Sequence, residues 1–584
     1  LTPYTMTQSL CSESMRSERL RRAQEAFAMA QSIQSEQVCS VRCAEGEESM
    51  SIRFSLGENE RSMIRRKDEN VGSTLARLSK TLNKPLKGKQ PPSQSSASPD
   101  KEIWLTTAEG ARIPEDRINQ DAWKTGDKLS VGSESWTCIR NHPTITSFQV
   151  KQFAVQGFAV QPSSSTEFVD SIVCRFYTRT DDASWTCVLE GEDCYIPRAE
   201  DVGKFLMVEA LPIKSGPNEE LIVGRKRSFE LAGKVQASAD LSVYAERLRH
   251  VADTQASEDL RVVSYNLLAD NTPAERDGEY DFCSSEALDI NYRKQLFTWE
   301  LVQYNADMIC LQEVTPHIYT TYMEPQMRAN GWTGVYCNKN FAALMGCAVF
   351  FKTDKFEMCS EHRVDLFREW TENKEIKRNL HLIPESVKVQ LNKANTVGQI
   401  LELRYKDDSA APFFVLNTHL MGHPSDKLGR VIQVSTLLHR LRMVVADTGS
   451  YDAGVIFCGD FNSSQEEAMH ELLKTGRLSS KHKVWGEGEI CRNKKSIGGG
   501  FSLTSDMSFY RGASHVPATY IDTDFTALVD FIYFSKNHFE MSDSHFPNFP
   551  ISALRDETSI PSSKFGSDHI ALVQDLRVLR SECN

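Results

Sequence analysis

The chain has 584 residues, is 40% hydrophobic and 25% charged, and carries a net charge of −12. That is the composition of an ordinary globular protein of several domains, at one domain per ~100–200 residues. No stretch approaches the ~20 apolar residues of a membrane-spanning helix, and the acidic balance argues against an extended, non-specific nucleic-acid binder while leaving room for an enzyme that handles one or two phosphates. The 15 cysteines contain no CxxC pair and read as buried free thiols in a reducing compartment.

In chain order, Met15 to Gln34 is Arg-rich (Arg16, Arg19, Arg21, Arg22), with small apolar residues following at helical spacing. Glu13, Glu18 and Glu25 interrupt it, so residues 1–36 are expected to be a targeting or disordered segment, with a solvated helix as the alternative. Residues 37–235 are expected to form a β-rich N-terminal domain, because short alternating runs such as Trp136 to Arg140, Ser171 to Thr178 and Gly203 to Ala210 recur between turn signals. A disordered loop is expected at 80–100, where Pro85, Pro91, Pro92 and Pro99 flank a Ser-rich patch. Residues 236–258 are expected to be a linker with a short helical piece.

From 259 to 580 strand-like runs alternate with helical segments. The predicted strands are Leu260–Leu267, Asp307–Leu311, Cys347–Phe351, Gly398–Tyr405, Phe413–Asn417, Gly454–Cys458, Leu528–Phe534 and Ile570–Leu576, and helices are predicted over Tyr292 to Gln303, Val431 to Val445 and Gln465 to Lys474. The expected class is α/β, with two sheets packed face to face and helices outside, an α/β/β/α sandwich preceded by the smaller β-rich domain.

Polar residues cluster where these apolar strands end: Asn266, Glu313, His419, Asp460 with Asn462, and Asp568 with His569, while Asp530 lies inside a strand. An apolar strand gains nothing from a terminal carboxylate, whose desolvation costs several kcal/mol unless it is paired or bound to a metal. Glu313, Asp460, Asp568 and the amide oxygens of Asn266 and Asn462 are hard donors that suit Mg²⁺, and two histidines can meet a phosphate and its developing charge. No Cys/His set offers a closed zinc site and no GxxxxGK[ST] loop offers a triphosphate cradle. Each position alone has a plain structural reading as a turn, a cap or a satisfied core histidine. The joint pattern does not.

The runs SYNLLAD (264–270), LQEV (311–314), GCAVFFK (346–352), NTHL (417–420), CGDFN (458–462), LVDFIYF (528–534) and SDHIAL (567–572) resemble the endonuclease/exonuclease/phosphatase superfamily over about 259–580. The segment from His419 through His423 and Pro424 to Arg430 and Gln433 is similar to its deadenylase branch. The upstream domain resembles a mitochondrial subgroup of that branch that cleaves 2′-5′ oligoadenylates. The resemblance implies a Mg²⁺-dependent phosphodiesterase, with Mn²⁺ able to substitute. Its substrates would be RNA 3′ ends, poly(A) and 2′-5′ oligoadenylate, its product 5′-AMP, and its place the mitochondrial matrix, with the cytoplasm as the alternative.

It also implies roles. Glu313 would be the primary metal ligand, with Asn266, Asp568, Asp460 and Asn462 completing the set. Asp460 would be the general base, Asn462 would hold the phosphate or the attacking water, His419 would bind the phosphate, and His569, oriented by Asp530, would stabilise charge on phosphorus. Phe525 would stack on an adenine, and His423 and Arg430 would meet substrate. Met345 departs from the branch, which usually has an acid before Gly346. The segment Ser479 to Gly512 is poorly matched. The rivals are a phosphatase of the same superfamily acting on a small nucleotide or inositol phosphate, and an inactive RNA-binding relative.

Overall fold

The structure, a computed structural model, describes residues 13–33, 37–56, 59–82, 102–151, 153–216, 220–254, 259–270, 278–339, 344–407, 411–486, 500–523, 525–542, 545–554 and 559–579. Most of the loop expected at 80–100 lies outside them. The chain divides into two compact units, Leu1–Ala237 and Ser238–Asn584.

The first unit holds two main sheets. One runs in the order Asn59–Arg66, Ser49–Leu56, Val38–Arg42, Glu134–Arg140, Lys128–Val131, Ile103–Thr106. The helix Val71–Leu82 lays Val71, Leu75 and Leu78 into the same core as Trp123 and Trp136. The other sheet is built around the Ser171–Arg179 and Phe205–Ser215 pair. The helix Glu13–Ile33, in the stretch expected to be a targeting or disordered segment, packs here: Ala23, Ala26 and Phe27 join Val173, Leu211 and Ile213, and the Arg175 guanidinium lies 3.9 Å from the Phe27 ring centroid. The small apolar residues noted in the sequence are therefore the buried face of a helix in a β-rich unit.

The second unit is a sandwich of two six-stranded sheets. One has the order Trp332–Asn338, Gly346–Lys352, Met308–Val314, Leu260–Asn266, Leu572–Val578, Phe539–Met541. The other has the order Phe356–Asp365, Val397–Tyr405, Phe413–His419, Gly454–Asp460, Asp530–Ser535, Phe509–Arg511. Each sheet contains one parallel pair: Leu260–Asn266 beside Met308–Val314, and Phe413–His419 beside Gly454–Asp460. These strands are buried on both faces, which is why they read as continuous apolar runs. Between the sheets, Val262, Met308 and Cys310 meet Val415, Ile456 and Ile532. Outside, Phe297 and Met323 cover one sheet, and helices Lys427–Thr448 and Ala468–Thr475 cover the other.

A polar link fixes how the two sheets register below their functional ends. Gln312 Nε2 donates to Asn417 Oδ1 (2.8 Å), and Asn417 Nδ2 donates to the carbonyls of Leu311 and Ala348 (both 3.0 Å). Buried amides carry a desolvation cost unless satisfied, so sliding one sheet over the other leaves unpaired groups. Gly459 lets the parallel pair close up, since a Cβ there would stand 2.3 Å from the Thr418 carbonyl oxygen.

The stretch 236–258, expected as a linker, contributes the helix Ala245–Thr254 to this unit. Tyr244 packs edge-on to Trp299 and Phe549, and Arg247 donates to the Ala571 carbonyl (2.9 Å) while lying over Tyr304 and Phe549.

Candidate active site at the ends of the parallel strands

Both parallel pairs deliver their last residues to one place. Asn266 lies opposite Gln312, the neighbour of Glu313, and His419 lies opposite Asp460. Glu313 sits at an interruption of strand register between Leu311 and Val314, with φ of 56°. Asn462 (φ 50°) and Leu268 (φ 53°) share that left-handed conformation. For residues other than glycine it is costly, and it recurs where a fold aims a side chain for function.

Asp460 is the hub. Its Oδ2 accepts from Asn266 Nδ2 (2.9 Å) and faces His419 Nε2 at 3.5 Å and His569 Nε2 at 3.9 Å. Its Oδ1 accepts from the Asn462 backbone N–H (2.9 Å). The same Asn266 amide reaches Glu313 Oε1 at 3.4 Å, and Glu313 Oε2 accepts from the Ala269 N–H (2.9 Å). Asn266 Oδ1 is taken by the Leu268 N–H (3.1 Å), so Asn266 turns its nitrogen to the carboxylates and its oxygen to the backbone. Glu313 also lines a small pocket with Leu267, Ala269, Asp270, Thr315 and Met323.

Asp568 accepts from the Tyr280 hydroxyl (2.8 Å), and the neighbouring Ser567 hydroxyl donates to the Asn266 carbonyl (2.7 Å). His569 Nδ1 is 2.7 Å from Asp530 Oδ2, and the other Asp530 oxygen is buried with no partner among the described residues. Asp460, Asp530 and His569 each bring one donor atom within 4.8 Å of the others. At 2.7 Å the His569–Asp530 contact is a hydrogen bond, so this trio is an ion pair beside a carboxylate more readily than a cation cage.

The two histidines differ in charge. Burial and the nearby Lys339 push His419 down to about 4, against the pull of Asp460 and Glu313. Lys339 Nζ stands 3.4 Å from His419 Nδ1. An ammonium only donates, so Nδ1 is the acceptor and the ring proton sits on Nε2, toward Asp460. Burial opposes charge on His569 too, but Asp530, Asp568 and Asp460 outweigh it and lift it to about 10. The acids also diverge. Burial works against ionised Glu313, yet His419, Lys339, the Ala269 N–H and His569 bring it down to about 2. Asp460 is pushed up by burial and by Asp530, against His419, His569 and Asn266.

The remaining expected site residues lie apart from this cluster. Phe525 is 57% exposed, its centroid 6.1 Å from Tyr520, which meets the His569 ring edge-on at 5.1 Å. His423 is exposed, its Nδ1 2.7 Å from the Ser425 hydroxyl. Arg430 is corrected by the structure: it is fully buried, paired with Glu467 at 2.9 Å, and donates to the carbonyls of Met421 and His423. It braces the His423 loop and has no free face for substrate. Gln433 likewise accepts from the Met421 N–H.

Lys339, Tyr280 and Ser567 were not anticipated. Lys339 immediately follows the Trp332–Asn338 strand, so the rule that found the acids could have found it. Met345, the departure noted in the sequence, places its Sδ 3.6 Å from Lys339 Nζ, and a thioether there leaves the ammonium charge for the site. Tyr280 had no signal in the sequence.

A model of the Endonuclease/Exonuclease/phosphatase family matches residues 263–569. The chain is 29% identical over 619 residues to human 2′,5′-phosphodiesterase 12, covering 96% of this chain and 97% of that protein. It is 25% identical over 379 residues to the CCR4-Not complex 3′-5′-exoribonuclease subunit Ccr4 of Saccharomyces cerevisiae, covering 61% of this chain and 43% of that protein. Among solved structures it is similar to ANGEL2, a 2′,3′-cyclic phosphatase, at 22% identity with a TM-score of 0.45, over 55% of this chain and 95% of that one. With more than half of its residues matched and its two-sheet unit carrying every motif in order, the chain belongs to the endonuclease/exonuclease/phosphatase family.

Proposed function

We propose that this chain is a metal-dependent phosphodiesterase that removes nucleotides from RNA 3′ ends, acting on poly(A) and on 2′-5′ oligoadenylates and releasing 5′-AMP. One observation carries the reading: a buried carboxylate, Asp460, stands between a neutral and a charged imidazole and is bridged through Asn266 to an acid held at about 2. The near full-length similarity to human 2′,5′-phosphodiesterase 12 and the shorter one to Ccr4 support the substrate class.

The donors fit a hard cation. Glu313, Asp460 and Asp568 are carboxylates that are buried or nearly so, which suits Mg²⁺ or Mn²⁺. Glu313 would be the main ligand, with Asp460 and Asp568 beside it, and Asn266 would join after rotating its amide. Bound there, the ion would offset phosphate charge and acidify a water.

The chain's own groups do the rest. Asp460, already pushed toward protonation, takes the proton of the attacking water, whose oxygen bonds to phosphorus as the bond to the 2′ or 3′ oxygen of the preceding ribose breaks and that oxygen takes up a proton from solvent. His419 presents Nε2–H to a phosphate oxygen, and cationic His569 faces the charge that builds up. Asn462 donates Nδ2 to the Leu420 carbonyl (3.1 Å), which fixes its amide plane beside the water or phosphate. Phe525 supplies a stacking surface for adenine, worth about 1–3 kcal/mol per base.

Matched 2′-5′ and 3′-5′ oligoadenylates, digested with and without Mg²⁺, test the proposal. 5′-AMP from an unblocked 3′ end is expected. Release of inorganic phosphate alone would replace the reading with that of a phosphatase. The proposed compartment is the mitochondrial matrix, on the subgroup resemblance; imaging of the tagged full chain separates it from the cytoplasm.

A further inference from the structure

Arg293 is fully buried on the helix Ile290–Gln303. A guanidinium so placed usually pairs with a carboxylate. This one spends its donors on neutral carbonyls: Nε on Leu288 (2.9 Å), and Nη1 on Leu267 (3.1 Å), Leu268 (2.9 Å) and Gly566 (3.1 Å). Its Nη2 has no partner among the described residues.

The carbonyls are not random ones. Leu267 and Leu268 follow Asn266, and Gly566 precedes Ser567 and Asp568. Leu268 holds φ of 53°, a conformation that persists only where the surroundings enforce it; its N–H is fixed by Asn266 and its carbonyl by Arg293. The second loop is pressed onto the same helix, since a Cβ on Gly566 would lie 2.9 Å from the Arg293 carbonyl oxygen. The Ser567 hydroxyl bond to the Asn266 carbonyl closes the circuit. Among the charged groups acting on Arg293, Asp568 ranks first, countering the burial that disfavours the cation.

We propose that Arg293 is a positioning residue for the metal site: its guanidinium clamps the loops that carry Asn266 and Asp568, so that its loss weakens divalent-cation binding rather than RNA binding. Arg293 touches neither substrate nor reacting atoms. It acts through backbone carbonyls and so sets where Asn266 and Asp568 stand when a cation arrives. This inference rests on the proposed metal-dependent function.

The test uses the full chain and four variants: Arg293→Lys, Arg293→Gln, Gly566→Ala, and Arg247→Gln as a control. Arg247 is also buried, and it bonds the Ala571 carbonyl in the same unit but holds neither loop. Free Mn²⁺ is titrated by electron paramagnetic resonance. Oligo(A) binding in EDTA is followed by fluorescence anisotropy, and thermal midpoints are recorded alongside.

Arg293→Gln is expected to raise the Mn²⁺ dissociation constant roughly 10–100-fold, the usual cost of losing an outer-shell support. Gly566→Ala should shift it in the same direction and Arg293→Lys by less, with oligo(A) affinity unchanged. Arg247→Gln should lower the thermal midpoint yet leave Mn²⁺ affinity alone. Wild-type Mn²⁺ affinity in Arg293→Lys and Gly566→Ala overturns the proposal, as does an equal loss in Arg247→Gln. Should Arg293→Gln fail to fold, those two milder variants decide. If the wild-type chain binds Mn²⁺ but cleaves no oligoadenylate, the functional reading falls and the clamp stands.

Discussion

The two parallel strand pairs of the sandwich are built alike and finish differently. In one sheet the ends present Asn266 and Glu313, and His569 stands just ahead of the next strand, Leu572–Val578; in the other they present His419 and Asp460, with Asp530 alongside. The Glu313 carboxylate, which burial works against, is brought down to about 2 by His419, with Lys339, the Ala269 N–H and His569 adding to the pull. Around Asp460 carboxylates and imidazoles of both sheets crowd together, and burial and Asp530 push this hub acid up. A fixed carboxylate attracts a cation, and a carboxylate poised to protonate accepts a proton. The same strand-end geometry therefore serves two chemistries, and the neighbours decide which.

The sharpest way to break that division is to delete each acid in turn. Asp460→Ala should lower kcat by about 10³–10⁴-fold, at the upper end for loss of a general base. Glu313→Gln should cost somewhat less, about 10²–10³-fold, and part of that should return at high Mg²⁺, because a weakened ligand set can be refilled by mass action. Steady-state rates from 0.1 to 50 mM Mg²⁺, on the order of ordinary assay concentrations, read the difference. If excess Mg²⁺ restores both variants alike, the two halves do not divide the labour.

The next effect belongs to a contact between the two sheets, Asp530 from one and His569 from the other. Asp530→Asn leaves a hydrogen-bond acceptor near His569 Nδ1 but removes the charge that lifts the ring to about 10. Loss of one such electrostatic contribution costs about 10²–10³-fold in kcat. The sign is fixed by the raised value: wild-type His569 stays cationic through neutral pH and loses its proton only near 10, so in the variant the alkaline limb of the pH–rate profile should move to lower pH. The stability this pair adds follows the same sign, present in full below the unfolded value near 6.5 and lost as pH rises through about 10. An alkaline limb that stays in place would separate Asp530 from the titration of His569.

What could be read from the sequence follows from the same architecture. Asn266, Glu313, His419, Asp460 and Asp568 were visible because polar groups beside wholly apolar strands stand out and demand a reason. Arg430 misled because its substrate role came from the resemblance of the segment from His419 to Gln433, which says nothing of what surrounds the side chain. Its counter-charge, Glu467, is 37 residues away, and nothing local announces the pairing. Residues 236–258 looked like a hinge because their outer face is polar, while Tyr244, Arg247 and Val251 find their partners some 50 to 320 residues later. Arg293 was hidden for a further reason: it bonds only carbonyls, which every residue possesses, so no pattern of side chains could mark it.

The smallest expected effect is one of stability, on the helix side of the second sheet. Behind Asn462, His470 bridges Ser463 (2.8 Å) and Tyr533 (2.6 Å) and is pushed down to about 3 by burial, with Lys474, Arg511 and Arg430 adding repulsion. A histidine buried neutral binds no proton when the unfolded chain, with a pKa near 6.5, already does. Its contribution is therefore complete above about pH 6.5 and falls away as pH drops toward 3, by at most about 1.4 kcal/mol per pH unit. His470→Gln should cost about 1 kcal/mol at pH 7.5, the order of one hydrogen bond. It should also flatten the decline, because the variant has no proton to take up on unfolding at that position. Urea midpoints at pH 7.5 and 4.5 give the slope for each protein. Parallel slopes would place the acid sensitivity of this half elsewhere, with His419, also held below its usual value, as the next group to replace.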